Sequence, residues 1–415
     1  MKLPGGWFGR FSGVVTSLQS GTAPGGPTGL QARALGPDLA RGFMLLFIAL
    51  ANTHYFLQSA TILGGFPQDG SVLDRGFILL IATFVDGRAF PLFGLLFGYG
   101  VAQIARRQSE AGRDPKKTRR VLWRRSLFLV VVGFIDAMLF YVGDILAAYG
   151  VLLFIGVWAI RWKDRVLLAV ALLVFAVTAL PADSSMSTSP DGPEVALLPP
   201  NLLAAFEGRI VTFAVIALLG PIGFLCPFLI GLWAGRRRLL EQPAKHRKLL
   251  TWIATIGITL STVGALPVSL ILSGIADRPS TGVLNVLGPL HDVSGVLGGF
   301  GYASLIALIS LRIGREHGRI TQAVVAVGQR SLTCYLVQSV VWAVAFTPYF
   351  ADLSDDLTVV TTALLAIATW LGTVVLAYQM HLRSYRGPME ILVRRFTYGR
   401  SPVEVSGSGR RAPGS

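Results

Sequence analysis

Residues Phe84–Gly100 read FVDGRAFPLFGLLFGYG, a glycine-rich apolar segment with an acid and a base, Asp86 and Arg88, near its beginning. If this segment crosses a bilayer, its charged end must lie at the membrane surface or among other polar groups, because lone charges in hydrocarbon are costly. The composition favours a bilayer, since 53% of the 415 residues are hydrophobic and only 14% are charged. A soluble domain is about one quarter charged. The sequence therefore predicts an all-α, polytopic helical membrane protein.

Ten apolar segments are candidates for membrane crossing, because a helix needs about 20 apolar residues to span the bilayer core. We therefore predict about ten transmembrane helices, at residues 39–58, 88–105, 126–141, 143–160, 165–181, 210–234, 249–273, 285–311, 330–350 and 357–380. The apolar stretch 73–86 is short, so we expect an interfacial or re-entrant segment there.

Lysine and arginine are concentrated in three connecting segments, RRQSEAGRDPKKTRRVLWRR, RRRLLEQPAKHRK and LRIGREHGR. An arrangement with both termini in the cytoplasm (N-in/C-in) leaves only four of the 37 basic residues outside: Arg75, Arg88, Arg209 and Arg278. The positive-inside rule favours this orientation. We therefore expect a multi-pass membrane protein whose partner is the lipid bilayer. Its net charge of +15 is then a basic cytoplasmic face and not a nucleic-acid site.

Changes in composition divide the chain into five parts. Residues 1–35 and 401–415 are rich in glycine, proline and serine, which predicts a disordered cytoplasmic arm and a disordered tail. Residues 36–181 form an N-terminal membrane half of about five spans. Residues 182–208 form an acidic, proline-rich extracytoplasmic loop, and residues 209–400 form the C-terminal membrane half.

With this topology, polar side chains from both halves lie at one extracytoplasmic level of the membrane. They are Asn52, His54, Asp86, Arg88, Asp136, Asp144, His291 and Asp292. Groups of this kind are expected to face one another or a wet cavity. They are therefore the candidate functional residues.

Plainer explanations exist for the acidic members. Asp86 and Arg88 are two residues apart and would diverge on a helix, so they pair with each other only if the chain is irregular there. Pairing across spans, or a place in the headgroup zone, is otherwise expected. Asp144 follows Gly143 and suits a carboxylate that accepts the free N–H groups of a helix N-terminus. Asp136 can simply pair with a neighbouring span.

The histidines also have alternatives. His54 fits an interfacial histidine as well as a catalytic one. HDVSG at residues 291–295 is the best acid–histidine combination, yet neighbouring residues on a helix diverge by about 100 degrees. Asp292 therefore need not orient His291.

Other motifs are more readily structural. GLLFG at 94–98 is a small-xxx-small pattern for close helix packing, and GGFGYAS at 298–304 is also attributed to packing. RRSL and KHRK suit membrane-surface anchors, or a site for an anionic cytoplasmic ligand such as a nucleotide or coenzyme A. Cys226 and Cys334 lie in apolar runs and predict neither a disulfide nor a metal site. The sequence contains no P-loop, HExxH, CxxC or GxSxG motif.

Five motifs resemble the domain-of-unknown-function 418 (YeiB-like) family of bacterial membrane proteins. They are RGFMLLFIALAN at 41–52, FPLFGLLFGYG at 90–100, GDILAAYG at 143–150, VGQRSLTCYLVQS at 327–339 and RGPMEILVRRFTYG at 386–399. The resemblance covers nearly the whole chain in the expected order. Cys334 stands where the family usually has asparagine, and Asp136 where it often has histidine.

The resemblance implies a first hypothesis, because the family is distantly similar to membrane acyltransferases of the heparan-glucosaminide acetyltransferase type. Such enzymes pass an acyl group from cytoplasmic acyl-CoA, the candidate donor substrate here, to an acceptor across the membrane. His291 or His54 would act as general base, and Asp144, Asp86 or Asp292 would orient it. Arg88 or Asn52 would stabilise the oxyanion.

A second hypothesis is a transporter or exporter of a small polar or anionic solute, in which the same charges form a substrate site or a proton relay. An accessory membrane subunit without chemistry is a third.

Overall fold

The computed structural model describes residues 34–182, 188, 190, 195–314 and 318–399. The predicted disordered tail, most of the predicted arm and part of the predicted loop 182–208 lie outside the described residues.

Within these residues the chain forms α-helices joined by short connections and one small hairpin. The helices are α1 (Leu35–Thr53), α2 (Val72–Phe84), α3 (Ala89–Glu110), α4 (Pro115–Leu139), α5 (Leu146–Gly156), α6 (Asp164–Thr178), α7 (Leu202–Arg236), α8 (Arg247–Leu272), α9 (Thr281–Ile313), α10 (Arg319–Gln329), α11 (Ser331–Phe346), α12 (Val359–Leu382) and α13 (Pro388–Tyr398). The antiparallel hairpin consists of β1 (Ile62–Leu63) and β2 (Phe66–Pro67). Two 3₁₀ turns lie at His54–Phe56 and Val157–Arg161.

Six helical segments of the described chain are long and apolar enough to cross a membrane. They are Leu35–Phe56, Val72–Glu110, Leu202–Arg236, Arg247–Leu272, Thr281–Ile313 and Val359–Leu382. Helices α10 and α11 form a seventh candidate that bends by 83°. The protein thus has an all-α, polytopic membrane fold, as predicted.

The predicted number of ten spans is not confirmed, although every predicted span coincides with helix. Helix α6 has 15 residues, or about 23 Å at 1.5 Å per residue, which is shorter than a hydrocarbon core of about 30 Å. Helix α5 and the 3₁₀ turn that follows it are similarly short. Helix α4 begins with basic residues that the prediction assigns to the preceding loop, so only its later part is apolar.

The opening motif forms a break between α2 and α3. Gly87 has φ +73°, a conformation that glycine adopts without strain. Gly295 of α9 packs against the Gly87 carbonyl so closely that a Cβ at Gly295 would overlap it. The stretch 73–86, expected to be interfacial or re-entrant, forms α2, which packs on α8 and α12 and joins α3 in one apolar segment of 39 residues.

Glycines determine how closely α3 and α7 approach. A Cβ at Gly98 would overlap the Phe228 carbonyl, and one at Gly231 would overlap the Leu95 carbonyl. The packing role predicted for GLLFG is therefore confirmed.

Helix α9 packs in the same way against α3 and α8. A Cβ at Gly299 would lie 2.8 Å from Pro91 Cβ, and one at Gly301 would lie 3.0 Å from the Ile258 nitrogen. The packing role of GGFGYAS is confirmed. Cys226 and Cys334 are both free and buried, as expected.

Replacement of Gly98 by alanine should lower the melting temperature of the purified protein. The new Cβ must push α3 away from α7, and such overpacking costs about 1–3 kcal/mol. Gly223→Ala on α7 is the control, because a Cβ at Gly223 would meet no other atom within 4 Å. Equal melting temperatures for the two variants, measured by tryptophan fluorescence, would contradict the proposed close packing.

Candidate functional site

The predicted polar residues gather in two adjoining groups. The arginine–histidine group contains Arg88, His291, Asp86, Asp292 and His54, and the carboxylate pair consists of Asp136 and Asp144. Tyr55 lies within electrostatic range of Asp86, Asp292 and Tyr141, and Tyr141 lies within range of both members of the carboxylate pair. The structure therefore brings these residues, which come from distant parts of the chain, close to one another.

Arg88 is completely buried and ties the α2–α3 break to α8 and α9. Its Nε donates to Ser261 Oγ at 3.1 Å, and its Nη2 donates to the Ser261 carbonyl at 3.0 Å. Its Nη1 donates to the carbonyls of Ala82, at 3.3 Å, and Asp86. Nη1 also lies 2.9 Å from His291 Nε2. The guanidinium thus contacts its neighbours across spans, and it bonds the carbonyl of Asp86 and not the carboxylate.

His291 Nε2 has two close neighbours of opposite hydrogen-bonding type. It lies 2.9 Å from Arg88 Nη1, which can only donate, and 3.0 Å from the Ala82 carbonyl, which can only accept. The ring is therefore held between Arg88 and the backbone of α2. Nδ1 lies 3.4 Å from Asp292 Oδ1, a long contact that is compatible with a weak orienting role for this acid. His291 can act as a general base through Nε2 only after Arg88 moves away.

Asp86 and His54 lie beside this contact. Asp86 Oδ1 accepts the Gly87 N–H at 3.0 Å. The His54 ring stacks on Phe66 with their centroids 3.9 Å apart, and neither ring nitrogen makes a hydrogen bond with any described residue. His54 is 1% exposed, so its surroundings are those of an aromatic core and not of a water-filled interface.

The carboxylate pair is also buried, each residue being 1% exposed. Asp144 Oδ2 accepts the Ala147 N–H at the start of α5 at 3.0 Å, so the helix N-terminal explanation is confirmed. Asp144 Oδ1 accepts the Tyr335 hydroxyl at 3.2 Å. Asp136 Oδ2 accepts the Ser339 hydroxyl of α11 at 2.9 Å. Asp136 Oδ1 has no hydrogen-bond partner among the described residues.

Asn52 lies near the end of α1 and bonds Tyr141, which is within electrostatic range of the carboxylate pair. The Tyr141 hydroxyl donates to Asn52 Oδ1 at 3.0 Å, and Asn52 Nδ2 donates to the Ile48 carbonyl at 2.8 Å. Polar side chains therefore continue from the carboxylate pair through Tyr141 to Asn52.

A basic cavity of about 240 Å³ lies on the other side of the carboxylate pair. Six arginines line it: Arg41, Arg107, Arg125, Arg330, Arg386 and Arg394. Glu390 is the one acid in this wall among the described residues. Tyr335 also lines the cavity, so its hydroxyl joins the cavity directly to Asp144.

The Glu390 carboxylate accepts hydrogen bonds from the N-terminus of α11. Its Oε1 accepts the N–H groups of Leu332 and Thr333 at 3.0 and 3.2 Å, and its Oε2 accepts the Thr333 hydroxyl at 2.5 Å. A carboxylate at this end of a helix compensates the partial positive charge of the helix dipole. Arg41 is paired with Asp38 at 2.8 Å, so five further arginines and Glu390 set the charge of the wall, which is net positive.

Arg330 holds the bend between α10 and α11. Its Nε and Nη2 donate to the Tyr385 carbonyl at 3.2 and 2.6 Å, and its Nη1 donates to the Ala326 carbonyl at 3.2 Å. Arg330 thus joins the motif at 327–339 to Tyr385, and Glu390 joins the same motif to the one at 386–399. Sequence reasoning quoted both motifs but missed the roles of Tyr335, Ser339 and Glu390, because no local spacing indicates these partners.

These features define a polytopic helical membrane protein with a basic cavity on one side of a buried carboxylate pair. Residues 234–400 match the family model described as "Protein of unknown function (DUF418)". This match supports DUF418, the family that the motifs of the chain predict. The chain is also similar to the uncharacterized protein YxaH of Bacillus subtilis (strain 168). The two are 25% identical over 394 residues, which cover 87% of this chain and 93% of the relative.

Replacement of Arg88 by lysine should lower the melting temperature by several degrees. A single ammonium cannot reach Ser261, Ala82 and His291 together. Each buried acceptor that loses its donor costs about 1–3 kcal/mol. Arg75→Lys is the matched control, because Arg75 is exposed on the neighbouring helix α2. If the Arg88→Lys and Arg75→Lys variants have the same melting temperature, the buried contacts of Arg88 contribute little to the stability of the fold.

Proposed function

We propose that the protein is a membrane acyltransferase that moves an acyl group from cytoplasmic acyl-CoA to an extracytoplasmic acceptor. The observation that supports it most is the basic cavity whose wall residue Tyr335 is hydrogen-bonded to buried Asp144. The proposal includes the N-in/C-in topology with about ten spans in a bacterial cytoplasmic membrane, which opens the cavity toward the cytoplasm.

The charge and lining of the cavity suit the donor. Coenzyme A carries phosphates, and the planar guanidinium of arginine binds phosphate oxygens through paired hydrogen bonds. Apolar residues, including Met44, Phe93 and Phe97, line the same cavity. At about 240 Å³ it is smaller than a typical site for a whole drug-sized ligand. The thioester arm would therefore enter, and the phosphates would stay near the arginines.

Ion pairs connect the helix ends on the basic side of the proposed topology. Arg107 lines the cavity, and its neighbour Arg106 contacts Glu241 Oε2 at 2.7 Å. Arg236 contacts Asp164 Oδ1 at 2.9 Å in the same region of α7. These ion pairs connect α3 and α6 to the end of α7 and to the segment that follows it.

Acyl transfer would take place at the carboxylate pair. An acceptor hydroxyl or amine attacks the thioester carbon, the new C–O or C–N bond forms, and the C–S bond breaks. Asp136 Oδ1 has no hydrogen-bond partner among the described residues and takes the proton of the acceptor. The CoA thiolate leaves into the basic cavity and takes up a proton from solvent there, and Asp136 returns the acceptor's proton to solvent. His54, or His291 after release from Arg88, remains the alternative proton acceptor, and Arg88 or Asn52 the alternative oxyanion donor.

Binding of the donor can be tested by thermal stabilisation in nanodiscs. Acetyl-CoA should raise the melting temperature, and the double variant Arg386→Gln/Arg394→Gln should need at least tenfold more ligand, equivalent to about 1.4 kcal/mol. The matched control is Arg383→Gln/Arg395→Gln, which removes two exposed arginines of the same segment that do not line the cavity. Loss of stabilisation in both double variants, or in neither, would contradict binding in the basic cavity.

The transfer step can be tested with inverted membrane vesicles and acetyl-CoA labelled in its acetyl group. Asp136→Asn should abolish protein-dependent transfer of label to membrane or glycan fractions and should leave thermal stabilisation by acetyl-CoA intact. Asp355→Asn, a change at an exposed acid, should retain activity. Full activity of Asp136→Asn would exclude this residue as the base. In that case His54→Ala and His291→Ala decide between the histidines.

The second candidate is an exporter of a small polar or anionic solute. The hydrogen bonds of Tyr335 to Asp144 and of Tyr141 to Asn52, with the carboxylate pair within electrostatic range of Tyr141, favour it, because ionisable groups in a membrane interior can form proton relays. Transport in proteoliposomes that responds to a pH gradient and leaves the solute chemically unchanged would support it. Covalent modification of the solute would reject it.

A further inference from the structure

An apolar groove of about 370 Å³ lies between α3, α7, α8 and α9, away from the basic cavity. Leu95, Ile230 and Phe300 line it, and nearly all of its wall is apolar. On α8, Trp252 is 66% exposed and Leu260 is 48% exposed at the protein surface. The groove is therefore open toward the hydrocarbon that surrounds the helices.

The length of the groove matches one leaflet. Its wall follows α8 from Leu250 to Leu260. Ten residues at 1.5 Å each extend about 15 Å, which is half of a hydrocarbon core of about 30 Å. A groove of this length holds one acyl chain of a lipid.

Positive charge lies at one end of the groove. Leu240 and Leu250 line this end and flank the segment that contains Lys245, Arg247 and Lys248, all three exposed. Arg236 and Arg237, which precede this segment, are paired with Asp164, and Arg238 is paired with Glu110. The three later cations make no ion pair with a carboxylate of the described chain within 4 Å.

Trp233 adds a polar group to the same end. It lines the groove, and its Nε1–H is buried without a hydrogen-bond partner in the described part of the chain. The Arg237 guanidinium lies 5.3 Å from the centroid of the Trp233 ring. Tryptophan and arginine together are typical of the headgroup level of a membrane, where an ester oxygen can accept an indole N–H.

We propose that this groove binds one acyl chain of an anionic phospholipid from the leaflet on the basic face. Lys245, Arg247 and Lys248 hold its headgroup. The charged segment distinguishes this lipid from a zwitterionic one, because each basic residue near an anionic headgroup strengthens binding about fivefold. The lipid site does not depend on acyl transfer, and the basic cavity is a separate site.

The test is native mass spectrometry of the detergent-purified protein with equimolar phosphatidylglycerol and phosphatidylcholine of identical chains. The wild-type protein should retain at least fivefold more phosphatidylglycerol than phosphatidylcholine. Ile256→Trp, which fills the groove from its half-exposed lining, should remove most retained lipid of both kinds. Lys245→Gln/Arg247→Gln/Lys248→Gln should abolish the preference for phosphatidylglycerol. The matched control Lys116→Gln/Lys117→Gln/Arg120→Gln, at an exposed basic stretch elsewhere, should keep it.

Equal retention of the two lipids by the wild-type protein would show ordinary surrounding lipid and overturn the proposal. This comparison needs no variant, so it decides even if a substitution prevents folding. Undiminished phosphatidylglycerol on Ile256→Trp would show that the acyl chain lies elsewhere and would also overturn it. Neither result affects binding of acetyl-CoA in the basic cavity.

Discussion

The hydrogen bond between the Tyr335 hydroxyl and Asp144, 3.2 Å long, joins two parts of the chain that are 191 residues apart in sequence. Tyr335 belongs to α11, and Asp144 precedes α5 and also accepts the Ala147 N–H. Polar groups inside a bilayer must be satisfied within the protein. The carboxylate therefore fixes the start of α5 against α11. The same contact makes the inner wall of the basic cavity continuous with the carboxylate pair.

Arg88 satisfies backbone carbonyls at the break between α2 and α3. Irregular backbone at membrane depth is tolerated only where it is buried in protein or lines a cavity. The guanidinium satisfies the carbonyls of Ala82 and Asp86 and also reaches Ser261 and His291. A charge that looks costly in the sequence thus stabilises the break and holds the His291 ring in one orientation. The proposed chemistry is accordingly assigned to Asp136, whose Oδ1 has no such partner in the described chain.

Sequence patterns predict the fold class, the positions of the ten helices that coincide with predicted spans, and the close packing at Gly98 and Gly299. They do not predict helices α10 and α13. They also predict that the Asp144 carboxylate accepts hydrogen bonds from backbone N–H groups at the N-terminus of a helix. These properties depend on composition and on neighbours within a few residues. The partners of Arg88 were not predictable, because the break at Gly87 depends on Gly295 of α9, more than 200 residues away. The roles of Tyr335 and Glu390 depend on similarly distant contacts.

The most direct test of the account is the side of the membrane from which the basic cavity can be reached. Ser331 lines the cavity, and Ser331→Cys can be placed in a background in which the two buried cysteines are alanine. A membrane-impermeant maleimide should label this variant in inside-out vesicles, and acyl-CoA should protect it from labelling. Labelling from right-side-out vesicles alone would contradict a cytoplasmic donor cavity and the N-in/C-in arrangement with it.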